Sequence, residues 1–248
     1  MSNWSLLLSF SLVILAMLVS KKEKLLLEKD LLVGSIRAVV QLVAVGYILK
    51  FIFARNNFWF TTALLLVMVL NAAYIAGKRG EGIKNSHLIS FGAIVMGLIV
   101  TLGALIAFRA IAYKPSQAIP VSGMIVGNAM VAVGLVFRSL KQTFRDRREE
   151  VEVKLSLGAP PREAAFSLIR ESIKTAMLPT VDQMKTLGIV QLPGMMTGLI
   201  LAGANPLMAI KYQIMVAFML AGAVTVAAYV ASYFAYRGFF NEDFQIVS

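Results

Sequence analysis

Few side chains in this sequence could do chemistry, and those few sit inside or beside long apolar runs. Arg37 and Gln41 stand four apart, which puts both on one helix face. An arginine about two turns from the basic end of an apolar helix reads in two ways: as a side chain snorkelling to the interface, or as part of a polar pathway or inter-helix lock. Asn71 and Asn128 are amides in apolar surroundings, suited to hydrogen bonds between helices or to contact with a polar substrate. Gln191 stands just ahead of Pro193 and Gly194 in a run that ends at Gly198 and beyond, where a proline frees backbone carbonyls. Catalytic sets are missing. The sequence has no glycine-rich phosphate loop, no two carboxylates within one apolar run, no cysteine and a single histidine, His87. That excludes disulfides, thiolate metal sites and a histidine-activated serine in the membrane.

The elements that must position these groups are membrane helices. Hydrophobic residues make up 58% of the chain and charged residues 15%, against roughly 25% charged in soluble domains. The expected fold is all-α: a polytopic membrane protein with one transmembrane domain over residues 1–248. A net charge of +11 could suggest nucleic acid, but the basic residues cluster beside apolar segments, so the expected partner is the lipid bilayer and no nucleic acid.

Apolar segments fall at about 3–20, 31–53, 58–76, 88–112, 119–139, 185–204 and 208–236, which predicts seven spans. The first, third and fifth connections hold Lys21, Lys22, Lys24 and Lys29; Lys78, Arg79 and Lys84; and a basic series from Lys141 to Lys174. The other three hold Arg55, Lys114 and Lys211. This asymmetry predicts an outer N-terminus and a cytoplasmic C-terminus. The first run has no basic residues ahead of it and lysines after it, so it reads as a retained helix rather than a cleaved signal.

The longest polar interruption, about 140–179, predicts a cytoplasmic handle. Leu140, Phe144, Val151 and Leu155 fall near one helix face, and Glu150 with Lys154, Arg145 with Glu149 and Arg148 with Glu152 pair at four-residue spacing. The fifth span is expected to run straight out to Gly158, whose place suits a left-handed cap. Pro160 and Pro161 then open a second helix with Glu163 in its first turn. Ala165, Ile169, Ile173 and Met177 form an apolar stripe, and Pro179 marks the expected stop. Such a helix reads either as a knob for a partner's groove or as a membrane-surface helix.

The sixth span, with Pro193 and Gly194 near its centre and Gly198 and Ala202 continuing a smooth face, reads as a kinked helix lining a pathway or a dimer contact. Gly92, Gly97 and Gly103, with Gly123 and Gly127, predict close helix approach. The seventh span, uncharged between Tyr212 and Tyr236, reads as lipid-facing.

SIRAVVQL (35–42), PVSGMIVGNAM (120–130) and KTLGIVQLPGMMTGLILAGANP (185–206) resemble the Fet-type iron-export permeases of ATP-binding cassette transporters, relatives of plant aluminium-tolerance permeases. The run with Glu150 or Glu152, Gly158 and Pro161 also looks like the coupling loop of such permeases, with EEVEV in place of the usual Glu-Ala-Ala start. The resemblance implies a homodimer with two copies of an ATPase subunit, in a bacterial cytoplasmic membrane, exporting iron or another metal. It implies that ATP and magnesium bind to the partner and that no cofactor binds to this chain. The expected docking set is Glu150, Glu152, Gly158, Pro161, Glu163, Phe166, Ile169 and Arg170. The metal ligands stay open, and a nucleotide sugar is the alternative cargo. From the residues alone, an ion- or proton-coupled carrier using Arg37 is the alternative mechanism.

Overall fold

In a bilayer the backbone must satisfy its own hydrogen bonds, so long apolar runs are driven into helix. The computed structural model of the chain describes Trp4 and residues 8–55, 57–241 and 243–246, and contains helices but no strand among them. In chain order these are α1 (Ser11–Lys22), α2 (Glu28–Arg55), α3 (Phe58–Arg79), α4 (Ser86–Ala107), α5 (Pro115–Asp146), α6 (Arg148–Ser156), α7 (Pro161–Ala164), α8 (Phe166–Thr186), α9 (Gly194–Leu201) and α10 (Pro206–Ala235). A 3-10 turn over Tyr236–Phe239 continues α10.

Helices α2, α3, α4, α5 and α10 are the five that are long and apolar enough to cross a membrane among the described residues. They coincide with five of the seven expected segments, and the chain is a multi-pass membrane protein. The first expected segment takes in residues 3 and 5–7, which lie outside the described residues; the described helix there, α1, has 12 residues. The sixth expected segment is not one kinked helix. Helix α8 ends at Thr186, residues 187–193 form a turn in which the Gly188 N–H donates to Gln191 O at 3.0 Å, and the 8-residue α9 follows. Pro193 precedes the first turn of α9 with φ −65° and ψ 149°, so it starts a helix instead of bending one. Gly188 takes φ +81°, a left-handed conformation that glycine adopts without strain.

Pro179 does not stop α8 either; the helix runs through it from Phe166 to Thr186. A proline removes one helical hydrogen bond and crowds the preceding turn, at a cost of roughly 3 kcal/mol. Packing of the buried face of α8, Leu168, Ile169, Ser172 and Ala176, against α5 and α10 offsets it.

The chain forms two units, up to residue 57 and from residue 58 onward. In the first, α1 and α2 make a hairpin. The Ser20 hydroxyl donates to the Glu28 carboxylate at 2.8 Å and accepts from the Leu27 N–H at 3.1 Å, while Lys24 and Leu26 turn the chain with positive φ.

In the second unit α10 is the central helix, packed on α4, α5, α8 and α9. The lipid-facing reading of this segment is corrected: its face of Ala223, Ala227, Ala228, Ala231 and Ala235 is buried. Small side chains let neighbours come close, which is how packing substitutes for a hydrophobic drive inside lipid. A Cβ at Gly97 of α4 would lie 3.2 Å from the Ala223 carbonyl oxygen, and one at Gly123 of α5 would lie 3.1 Å from Met68 Cε. Gly92, Gly103 and Gly127, by contrast, face open space.

The two ends of this unit differ in chemistry. At one end Lys141 Nζ approaches Arg79 O at 3.5 Å, the Arg79 side chain lies against Gly134, and Gly238 packs on Ile83 and Lys84. At the other, Thr62 and Tyr113 share a hydrogen bond of 2.8 Å and Phe58 packs on Tyr113 with ring centroids 5.1 Å apart. Basic residues and aromatic rings are both features of a membrane–water interface.

Candidate functional site

At 32 residues α5 is about 48 Å long, so it extends well beyond a hydrocarbon core of roughly 30 Å. Its extension and the helices after it build the handle. The helix does not run unbroken to Gly158, as its periodicity suggests; it is interrupted at Arg147, with φ −121° and ψ 29°. Helix α6 then ends in a Schellman turn. The Gly158 N–H donates to Leu155 O at 2.9 Å and the Ala159 N–H to Lys154 O at 3.0 Å, with Gly158 at φ +88°. Pro160 is extended and Pro161 occupies the first turn of α7, as its fixed φ favours.

The interruption places Arg147 where its guanidinium joins two elements, α6 and α8. It lies 2.6 Å from Glu150 on α6 and 3.2 Å from Glu171 on α8, and it donates to Ser167 Oγ at 3.4 Å. Lys154 donates to the other oxygen of Glu150 at 2.6 Å, and Arg148 pairs with Glu152 at 2.7 Å, two of the three expected pairs. Arg145 instead lies 3.5 Å from its neighbour Asp146. The hydrogen bond from Lys154, joined by the one from Arg147, holds the Glu150 carboxyl below its ordinary value.

Apolar contacts tie the same elements to the membrane core. Phe144 stacks on Phe239, ring centroids 4.2 Å apart, and the Arg162 guanidinium lies 5.4 Å above the Tyr233 ring. Leu140, Val151, Leu168 and Ile169 are fully buried. The apolar stripe of α8 is therefore not an exposed knob, and Ile169 is removed from the docking set: its side chain belongs to the chain's own core. A stripe held between two membrane helices gains more by burial against them than by waiting for a partner.

Of the other residues expected for docking, Glu150 is held in the Arg147 network, and Glu152, Gly158, Glu163, Phe166 and Arg170 are exposed. Phe166 is 45% exposed, with the Arg170 guanidinium 5.7 Å from its ring centroid. Glu152, Gly158 and Pro161 come together on one open cleft of about 890 Å³, also lined by Asp243 and Phe244 of the C-terminal segment. That segment is folded back on itself, the Gln245 N–H donating to Asn241 Oδ1 at 2.7 Å.

The residues expected to line a pathway are divided between the two units. Arg37 and Gln41 lie on α2 in the first unit. Asn71 is an exposed residue of α3, and the Asn128 amide donates to Met124 O of its own helix at 2.8 Å instead of bridging helices. The expectation of inter-helix glue is corrected for Asn128, because a carbonyl one turn back is always within reach of a helical side chain. Gln191 and Pro193 lie in the α8–α9 break, where Gln191 Nε2 approaches Thr186 Oγ1 at 3.4 Å, and Gly194 and Gly198 lie in α9.

Two residues escape sequence reasoning. Arg147 looks like one basic residue among many until the helix breaks there; a glutamate three positions on was the available signal. Gln213 is buried on α10, and its Oε1 has no hydrogen-bond partner among the described residues. His87 packs against Gly77 and stacks on Tyr74 at 5.7 Å, as a side chain filling a turn. Among the described residues no three His, Asp or Glu side chains gather as a metal cage.

The family model described as Uncharacterised protein family (UPF0014) matches residues 3–240. "Probable iron export permease protein FetB" of Escherichia coli is 48% identical over 246 residues, 99% of this chain and 95% of its own length. "UPF0014 membrane protein YjkA" of Bacillus subtilis is 36% identical over 99% of this chain and 98% of its own length. "Protein ALUMINUM SENSITIVE 3" of Arabidopsis thaliana is 34% identical over 94% of this chain and 86% of its own length. No solved structure matches. With a match that begins before α1 and ends at Phe240, taking in the membrane helices, the handle and the broken segment alike, this chain belongs to the UPF0014 family.

Proposed function

We propose that the chain is the membrane-spanning permease subunit of an ATP-binding cassette transporter, worked from the cytoplasm by a separate ATPase. The observation that carries this reading is the handle. Its inner side is fixed to the membrane core through Phe144, Arg162 and the Arg147 network, while Glu152, Gly158, Pro161 and Phe166 stay outside. A rigid lever joined to membrane helices, with an outward face of mixed charge and apolar surface, suits a partner that pushes.

In this reading the permease lies in a bacterial cytoplasmic membrane with the basic end of its helices inside, as a seven-span homodimer served by two ATPase copies. The broken α8–α9 segment supports the dimer and the pathway: irregular backbone at membrane depth needs either protein or a water-filled cavity beside it. Iron or another metal is the proposed cargo, supported by the name of the Escherichia coli relative.

The test is ATP-driven uptake of ferrous iron into inside-out vesicles that hold the permease with and without its ATPase. Uptake that needs both proteins and ATP supports the reading. Transport by the permease alone that collapses with the membrane potential overturns the mechanism in favour of a coupled carrier. ATP-driven uptake of a nucleotide sugar with none of iron overturns the cargo only.

A further inference from the structure

The turn between α3 and α4 and the end of α10 border an open cleft of about 1140 Å³ in the second unit. Its floor is hydrocarbon, built from Leu88 and Met96 of α4 and Val230 and Phe234 of α10. Leu88 is 70% exposed and Phe234 53%, so these side chains wall the cleft without filling it. Gly92, between them on α4, keeps it open; a Cβ there would meet nothing within 4 Å. Leu88 and Met96 are about 12 Å apart along the helix, most of one leaflet of a core roughly 30 Å thick.

The rim differs. Lys84, Asn85, Arg237 and Asn241 stand at the mouth. The Arg237 guanidinium lies 5.7 Å from the Phe234 ring centroid, above the apolar floor, and neither cation has a carboxylate partner among the described residues. Glu81, the carboxylate of the adjoining turn, is not part of the lining. A void lined by hydrocarbon forfeits dispersion contacts on every wall, so in a bilayer it is filled by an apolar chain. The two cations at its mouth, without a carboxylate partner among the described residues, then select the charge at the end of that chain.

We propose that this cleft binds an anionic phospholipid, with one acyl chain along α4 and α10 and the headgroup phosphate between Lys84 and Arg237. The site rests on the chain being a multi-pass membrane protein and on neither the cargo nor the ATPase, so it stands or falls separately from the function proposed above.

The test is native mass spectrometry of the full-length protein from bilayers with equal phosphatidylglycerol and phosphatidylcholine. The expected result is retained phosphatidylglycerol in strong excess. Lys84→Ala with Arg237→Ala should lower that excess roughly tenfold. Gly92→Leu, which keeps both charges and adds a good helix former, should displace the lipid by filling the cleft. Equal retention of the two lipids by the parent protein overturns the proposal. So does anionic lipid that survives Gly92→Leu, since surface charge alone would then hold it.

Discussion

Phe144 and Phe239 lie face to face, 4.2 Å between ring centroids and 4° from parallel. The stack joins the end of α5 to the turn that follows α10, so the helix that enters the handle and the last helix of the core are tied together there as well as along their packed lengths. Whatever displaces one is felt by the other.

Arg147→Ala should loosen the handle while leaving the membrane helices intact. The side chain is 37% exposed, so its ion pairs with Glu150 and Glu171 are each worth about 1 kcal/mol or less. The expected outcome is faster amide exchange over 148–171 and weaker stimulation of the ATPase, at normal membrane yield. Unchanged exchange there would show that the buried apolar contacts hold the handle without Arg147.

Acid should act on the same place. The Glu150 carboxyl is held below its ordinary value near 4.5. Its contribution to stability is therefore fully present above that pH and is lost as pH falls through the lower folded value. Exchange in α6 should rise in that acid window, and Glu150→Gln should remove the pH dependence. A window that persists in Glu150→Gln would move the effect to another carboxylate.

Phe166→Glu and Ile169→Glu should behave differently. Phe166 faces outward, so a glutamate there should cut ATPase stimulation with normal insertion and folding. Ile169 is fully buried, and a charge in its place costs on the order of several kcal/mol. Loss of folded protein is expected for that variant. Normal yield of Ile169→Glu, measured by size-exclusion profile, would contradict the packing of α8.

Gly188→Ala should disturb the break between α8 and α9, because at φ +81° an L side chain costs about 1–2 kcal/mol. Pro193→Ala should be milder, since Pro193 only starts α9. Transport reduced in the first and near normal in the second is the expected pattern. Equal effects would point back to a kink centred on the proline.

Helix was legible wherever one residue type dominated, and much less so wherever two tendencies competed. The Gly158 to Pro161 corner was readable because glycine and proline act through their own backbone, with no need of neighbours. The same reasoning failed at Pro179, where burial of Leu168 and Ala176 outweighs a local penalty, and at Pro193, where the helix had already ended. The pairs of Glu150 with Lys154 and Arg148 with Glu152 follow from spacing alone. Ile169 and the alanine face of α10 did not, because an apolar stripe on a membrane protein faces lipid, partner or core with the same sequence. Arg147 became visible only with the break that places it between α6 and α8.

The approach of Gly97 to the Ala223 carbonyl sets how this bundle can move. Where backbone lies against backbone there are no long side chains to change rotamer and absorb a slide, so α4 and α10 are expected to turn together as one stiff body. A push arriving through Phe239 would then be delivered to both helices at once. Any change of shape must be taken up at joints elsewhere, such as the glycine-bearing turn at 187–193.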